Sequence, residues 1–207
     1  MSLQPSNSLC EKSEENSALL EKILGDPMTK YWLSNNHNPY ALNIVHENSD
    51  EYNYVQQLFE RTAGNLMISK LERVENPYLV GCYLLKKKQM WDKCGHLVEK
   101  TLFHGTRNAF VDSICKFNFD WRRSGTSKGT VFGKGVYFTS DVSYAHEYTF
   151  GDNVMFLAKV LVGDRVKGKA SYEVLPEPFD TATNDKETIF VKFEDNEFYP
   201  QYVIQYR

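Results

Sequence analysis

The sequence predicts an α+β domain. Three observations carry that expectation: helical periodicities come early, apolar strand-like runs dominate late, and no regular strand-helix-strand alternation links them. At 207 residues, 42% hydrophobic and 14% aromatic, the chain can build one substantial core and a small additional element.

Each element follows from a local pattern. Residues 1–48 are expected to form an N-terminal flank, with a polar Ser/Asn/Glu-rich start and then Leu19, Leu20, Ile23 and Leu24 at short helical spacing, broken by Gly25-Asp26-Pro27. The domain proper is expected over 49–207. Ser49 is a capping candidate for a helix carrying Tyr52, Val55, Leu58 and Phe59, and Leu66 to Val74 reads as a strand. Asn76-Pro77 opens a second helix in which Tyr78, Cys82 and Leu85 share one side and the lysines face water. Next come a short strand at Leu102 to His104, a helix from Asn108 to Lys116 with Phe110, Ile114 and Cys115 apolar, and a strand from Gly133 to Phe138. Asp141 caps a helix reaching Tyr148; Val154 to Val162 and Thr188 to Phe193 read as central strands and Tyr202 to Tyr206 as a closing one.

Composition excludes several function classes. A net charge of −3 gives no global reason to bind nucleic acid, and the basic spots Lys86-Lys87-Lys88 and Arg122-Arg123 read as solvated surface. Cys10, Cys82, Cys94 and Cys115 show no CxxC spacing, and Cys94-Gly95-His96 lacks further ligands, so no metal site is expected. The longest apolar stretches fall short of the ~20 residues that cross a bilayer. The expectation is an intracellular protein, cytoplasmic or nuclear, with reduced thiols, no membrane contact and a monomeric state.

The run Gly129-Thr130-Val131-Phe132-Gly133-Lys134-Gly135 does not make a P-loop, because it has one residue too few between glycines and no hydroxyl residue after the lysine. No G-x-G-x-x-G with a downstream acid occurs either, so a dinucleotide-binding Rossmann fold lacks its fingerprint. Alone, His104 on an apolar strand is more often a satisfied core histidine. Its company changes that reading: Gly105 beside it, then Tyr137 and, eleven residues on, Tyr148.

The ordered runs Thr101-Leu102-Phe103-His104-Gly105-Thr106 and Phe132-Gly133-Lys134-Gly135-Val136-Tyr137-Phe138, followed by Tyr148, resemble the catalytic domain of the poly(ADP-ribose) polymerase family, the diphtheria-toxin-like ADP-ribosyltransferases. Ile68 to Pro77 is similar to that family's lead-in strand. Tyr199 to Tyr206 is similar to the last strand of its mono-ADP-ribosylating branch, the branch with CCCH zinc-finger and WWE members. The resemblance implies mainly antiparallel strands forming a split sheet around an NAD cleft, with flanking helices. It implies NAD as substrate, a protein acceptor and no metal. It further implies that His104 bonds the adenine ribose, that Gly105 pairs with the nicotinamide carboxamide through its backbone, and that Tyr137 and Tyr148 sandwich the ring, with Thr106 beside them. Flat aromatic faces suit a cationic pyridinium.

The third motif position falls on Ile189, where chain-elongating members carry glutamate, so the His104/Tyr137/Ile189 set implies transfer of a single ADP-ribose. Glu187, two residues earlier, is expected on the same strand face, about 7 Å away at strand rise and too remote to substitute. Ala145 stands where the family usually has a serine that donates to the carboxamide. Arg122 or Arg123 lies where the donor loop begins and is expected near the pyrophosphate, with Ser124 to Val131 as a lid. His146 and Lys134 read first as surface, Trp91 and Trp121 as packing residues. The chain before Asp50 is too short for the helical regulatory domain of strand-break-activated members, so such activation is not expected. Two rival readings stay open: an interaction module that no longer uses NAD, and an NAD hydrolase without a protein acceptor.

Overall fold

A computed structural model describes residues 18–33, 39–123 and 130–207. Helices α1 (Asp50–Glu60), α2 (Pro77–Cys94), α3 (Asn108–Phe117) and α4 (Val142–His146) flank a nine-stranded sheet. Its strands are β1 (Ala41–Ile44), β2 (Ile68–Glu75), β3 (Val98–Thr106), β4 (Val136–Thr139), β5 (Val154–Val162), β6 (Arg165–Lys167), β7 (Thr181–Thr183), β8 (Ile189–Lys192) and β9 (Phe198–Tyr206). Their order is β1-β2-β9-β5-β3-β4-β8-β7-β6, antiparallel except for β6 beside β7.

Period-two alternation sends successive side chains to opposite faces, and both faces are covered. Leu102, Phe156, Phe198 and Val203 pack with Ile114, Cys115 and Phe119 of α3 and the loop after it. Phe103, Met155, Leu157 and Ile204 pack on the other face with Val55 and Phe59 of α1. Coverage on both faces explains why β5 is a continuous apolar run rather than an alternating one.

The caps behave as the local sequence dictates. The Ser49 hydroxyl accepts from the Tyr52 N–H, the Asn76 side chain from the Leu79 N–H ahead of Pro77, and Asp141 from the Ser143 and Tyr144 N–H groups. Gly95 ends α2 with φ +69, a left-handed conformation that costs glycine least.

Other expectations are corrected. The buried side of α2 is Leu79, Val80, Tyr83 and Met90, whereas Tyr78 and Leu85 are each 74% exposed. Trp91 is exposed rather than packed, while Trp121 lies against the core cluster. Ile23, Met28 and Trp32 of the N-terminal segment pack against that buried side of α2. The Lys86, Lys87 and Lys88 ammoniums pair with Glu194, Glu99 and Asp92, and Lys86 is largely covered. Strand β4 begins at Val136, not Gly133, which has φ +121. The last strand begins at Phe198, and a register shift between Leu157 and Ala158 accompanies the Pro200 pairing with Ala158, as a proline inside a sheet requires.

Candidate functional site

The site is built where β3 and β4 part. These strands share one ladder pair, Phe103 with Thr139. Beyond it the His104 side chain bridges the gap: its Nδ1 lies 2.8 Å from the Tyr137 carbonyl oxygen. A carbonyl can only accept, so Nδ1 carries the proton and Nε2 presents a lone pair. The ring edge rests on Phe119, at 4.8 Å between centroids. Burial lowers the imidazole pKa below the ordinary histidine value, against the raising pull of the Tyr137 carbonyl, so the ring is neutral near pH 7.

That shift has a stability consequence with a definite sign. The unfolded chain binds more proton than the folded one between the depressed folded pKa and the ordinary value near 6.5. The contribution is therefore complete above about 6.5 and shrinks as the pH falls through that window. Replacing His104 by Asn keeps a donor for the Tyr137 carbonyl and removes the titration. His104→Asn is expected to lose less stability than the parent between pH 7.5 and pH 5, read as melting temperature against pH.

Gly105 is fixed by the protein itself. A Cβ there would stand 1.9 Å from the Ala145 carbonyl oxygen of α4 and 3.2 Å from the Tyr148 Cβ. The crowding expected against a bound ring is met first by this helix. Tyr137 is locked by its hydroxyl, which donates to the Gly133 carbonyl at 2.8 Å and accepts from the Phe132 N–H at 2.9 Å. The Tyr148 hydroxyl lies 2.9 Å from that of Tyr144.

His104, Gly105, Thr106, Tyr137, Tyr148 and Arg122 all border one cavity of about 630 Å³, within the size range of small-molecule sites. Two of the sequence-derived site residues do not. Ala145 is 2% exposed beneath Gly105, and its carbonyl accepts from the Tyr148 N–H at 3.1 Å, so it acts as the backbone floor of the site. Ile189 is buried in an apolar cluster with Tyr137 and Tyr144 and borders a neighbouring cavity of about 430 Å³. Glu187 is not on that strand: it sits in the preceding turn with φ +49, and its carboxylate pairs with Arg165 at 2.8 Å.

Other residues depart from expectation too. Arg122 reaches the cavity rim but is held by Asp120 at 2.8 Å and Asp195 at 2.7 Å. Lys134, by contrast, is exposed as expected and pairs with Glu173. His146 is half-buried rather than outward, its Nδ1 2.8 Å from the Tyr206 hydroxyl. The expected lid falls mostly on 124–129, which, like the Arg123 side chain, lies outside the described residues. Arg107, Phe150 and Asn196, outside the sequence-derived set, also border the cavity. Position was the available signal for Arg107 and Phe150, one residue past Thr106 and two past Tyr148. Among the described residues, no cluster of three or more His, Cys, Asp or Glu can hold a metal ion, and no helix is long and apolar enough to cross a membrane.

This mostly antiparallel sheet, with a histidine, a glycine and two tyrosines around one cleft, defines a class: residues 49–178 match the family model of the poly(ADP-ribose) polymerase catalytic domain, and the chain belongs to that family. It is 44% identical over 172 residues to human (Homo sapiens) protein mono-ADP-ribosyltransferase PARP12, covering 76% of this chain and 24% of that protein. It is 34% identical over 215 residues to human PARP11, covering 87% of this chain and 63% of that protein, and 34% identical over 175 residues to human PARP14, covering 76% and 10%. The chain thus spans about a quarter of the length of PARP12 and under two thirds of PARP11. Both relatives are named protein mono-ADP-ribosyltransferases.

Proposed function

We propose that this chain is a mono-ADP-ribosyltransferase that takes NAD, releases nicotinamide and transfers one ADP-ribose to a protein acceptor. The observation that carries the reading is the convergence of His104, Gly105, Tyr137 and Tyr148 on one cavity. The relatives' names support the single-unit outcome.

The chemistry asks for placement more than for a base. Breaking the C1′–N bond sends its electron pair to the pyridinium, which leaves as neutral nicotinamide. The acceptor then bonds to C1′, and its proton passes to solvent water. Tyr137, with its hydroxyl fixed at both sides, and Tyr148 hold the ring, while the Gly105 backbone takes the carboxamide and the neutral His104 Nε2 accepts from a ribose hydroxyl. Positioning of this kind carries much of the barrier reduction.

Both carboxylates that border the cavity among the described residues are held in ion pairs. Asp120 and Asp195 are engaged by Arg122, and the position expected for a glutamate is the buried Ile189. Elongation of an ADP-ribose chain is disfavoured on that account. We place the enzyme in a reducing cytoplasmic or nuclear compartment, acting as a monomer. Cys82, Cys94 and Cys115 are free, and burial pushes the Cys115 thiol up to about 12.

Incubation with labelled NAD, followed by gel analysis and mass spectrometry, is expected to show discrete single ADP-ribose units on protein. Ladders of higher mass would refute the single-unit reading, and free ADP-ribose with no labelled protein would point to hydrolysis. NAD at about a hundred times its dissociation constant stabilises a fold by about 2.7 kcal/mol. That corresponds to roughly 5–10 °C in melting temperature for a domain of this size. No shift with NAD or with a nicotinamide mimic would leave the interaction-module reading standing.

A further inference from the structure

Two cationic side chains border the cavity among the described residues, Arg107 and Arg122. Their electrostatic states differ. Arg122 faces Asp120 and Asp195, so two carboxylates already neutralise it, and their bonds raise its pKa. Arg107 makes no ion pair among the described residues. Its guanidinium carbon lies 4.0 Å from the centroid of the Phe150 ring. The nearby carboxylate of Asp152 is turned to the Asn108 N–H at 2.8 Å.

A dinucleotide brings two phosphate charges into this cavity, where Asp120 and Asp195 would oppose them. Desolvating such an anion is costly without a hydrogen-bonded cation. Arginine suits the task, because a guanidinium resting on an aromatic face keeps its N–H edge for phosphate oxygens and makes two parallel charge-assisted bonds. Placement agrees with the chemistry. Arg107 directly follows His104-Gly105-Thr106, and Phe150 follows Tyr148 by two residues, so the pair joins the two segments assigned to the ribose and the nicotinamide.

We propose that Arg107, held over Phe150, takes the diphosphate of the donor dinucleotide, and that Arg122 does not. This assignment rests on the reading of the cavity as an NAD site and names the residue that meets the donor's charge. Arg107 is a binding residue, with no part in bond breaking.

The test measures binding of NAD, ADP-ribose, adenosine and 3-aminobenzamide to the whole chain by calorimetry at low and high salt. Arg107→Gln is expected to weaken NAD and ADP-ribose about tenfold, the scale of a lost charge-assisted bond. It should leave 3-aminobenzamide and adenosine within about twofold and flatten the salt dependence of NAD binding. Arg107→Lys should fall between the two, while Arg122→Gln should cost NAD under threefold. Unchanged ADP-ribose affinity in Arg107→Gln overturns the assignment, as does an equal loss of 3-aminobenzamide, which would mark a role in cavity shape. A parent chain that binds neither NAD nor 3-aminobenzamide overturns the NAD reading itself. A parent that binds both while Arg107→Gln matches it overturns the Arg107 assignment alone.

Discussion

Lys192→Met is expected to destabilise the domain by about 3–5 kcal/mol, the scale for removing one partner of a buried ion pair. At this chain length that is roughly 10 °C in melting temperature. Lys192 is fully buried on β8, and its ammonium donates to the Asp180 carboxylate at 2.8 Å, the Asp180 carbonyl at 2.9 Å and the Thr181 hydroxyl at 2.7 Å. It also lies 3.1 Å from the carboxylate of Glu197, which is 2% exposed. Asp180 keeps partners without it, since the Gly163 and Asp164 N–H groups donate to its oxygens. Glu197 loses its counter-charge.

The pH dependence separates this account from simple loss of packing. Burial raises the Glu197 carboxyl, against the lowering pull of Lys192, from its ordinary 4.5 to about 7. The folded state therefore holds more proton than the unfolded one between those values. Stability from this group is full below about 4.5 and is lost as the pH rises through about 7. Without the Lys192 cation the carboxyl moves higher still, so the deficit of Lys192→Met should widen from pH 6 to pH 8.5. Adding Glu197→Gln should recover part of the loss and flatten the dependence. Urea unfolding at the two pH values decides the matter, and a deficit under about 1 kcal/mol at both would show that the buried charges carry no such coupling. NAD binding should weaken in the single variant, because β8 pairs Val136 with Lys192 and Tyr137 with Val191 and so supports the strand that carries Tyr137.

The buried lysine also marks the limit of what a sequence shows about this fold. Long elements with a clear period were legible: the helix after Ser49 and the continuous apolar strand from Val154 to Val162 need only local pattern and a cap. Strands of three or four residues, such as Ala41–Ile44, Arg165–Lys167 and Thr181–Thr183, carry too few side chains to show a period. Charge misleads in the same way. Nothing local in the sequence sets Lys192, Asp180 and Glu197 apart from surface charges, because their partners are set by tertiary contact rather than spacing. The exposed Tyr78 and Leu85 of α2 invert the usual rule, and the side they mark is the outward one.

Within the site, the residues that meet at the cavity were legible through the order and spacing of their motifs, which resemble the family's, and residue chemistry agrees with that resemblance. Gly105 admits no side chain, and Tyr137 and Tyr148 present flat faces. Residues whose role depends on a neighbour's charge were not legible. Arg122 and Arg107 look alike in sequence, and only the placement of Asp120, Asp195 and Phe150 separates them. The position of Glu187 is not legible either, because a left-handed turn precedes β8 and local alternation does not reveal it.

Gly105→Ala is expected to reduce NAD affinity by tenfold or more and to lower stability by about 1–3 kcal/mol, the usual cost of overpacking. The added methyl would lie 1.9 Å from the Ala145 carbonyl oxygen, so strand or helix must move. Neither moves freely. On one side β3 is bound to β5, with Gly105 opposite Met155. On the other, α4 is pinned by its Asp141 cap and by Thr62, whose hydroxyl accepts from the Val142 N–H at 2.8 Å and whose carbonyl accepts from the Ser143 hydroxyl at 2.6 Å. Relief by shifting the Ala145 carbonyl strains its bond from the Tyr148 N–H, and Tyr148 moves with it. A displacement near 1 Å at a positioning group is enough for large losses in rate. The affinity loss should therefore extend to 3-aminobenzamide, which needs only the nicotinamide end of the cavity, in contrast to Arg107→Gln. Calorimetry with both ligands, alongside thermal unfolding of the free protein, checks this. A Gly105→Ala protein that binds 3-aminobenzamide as the parent does would show that α4 yields, and that the glycine serves chain packing rather than the ring.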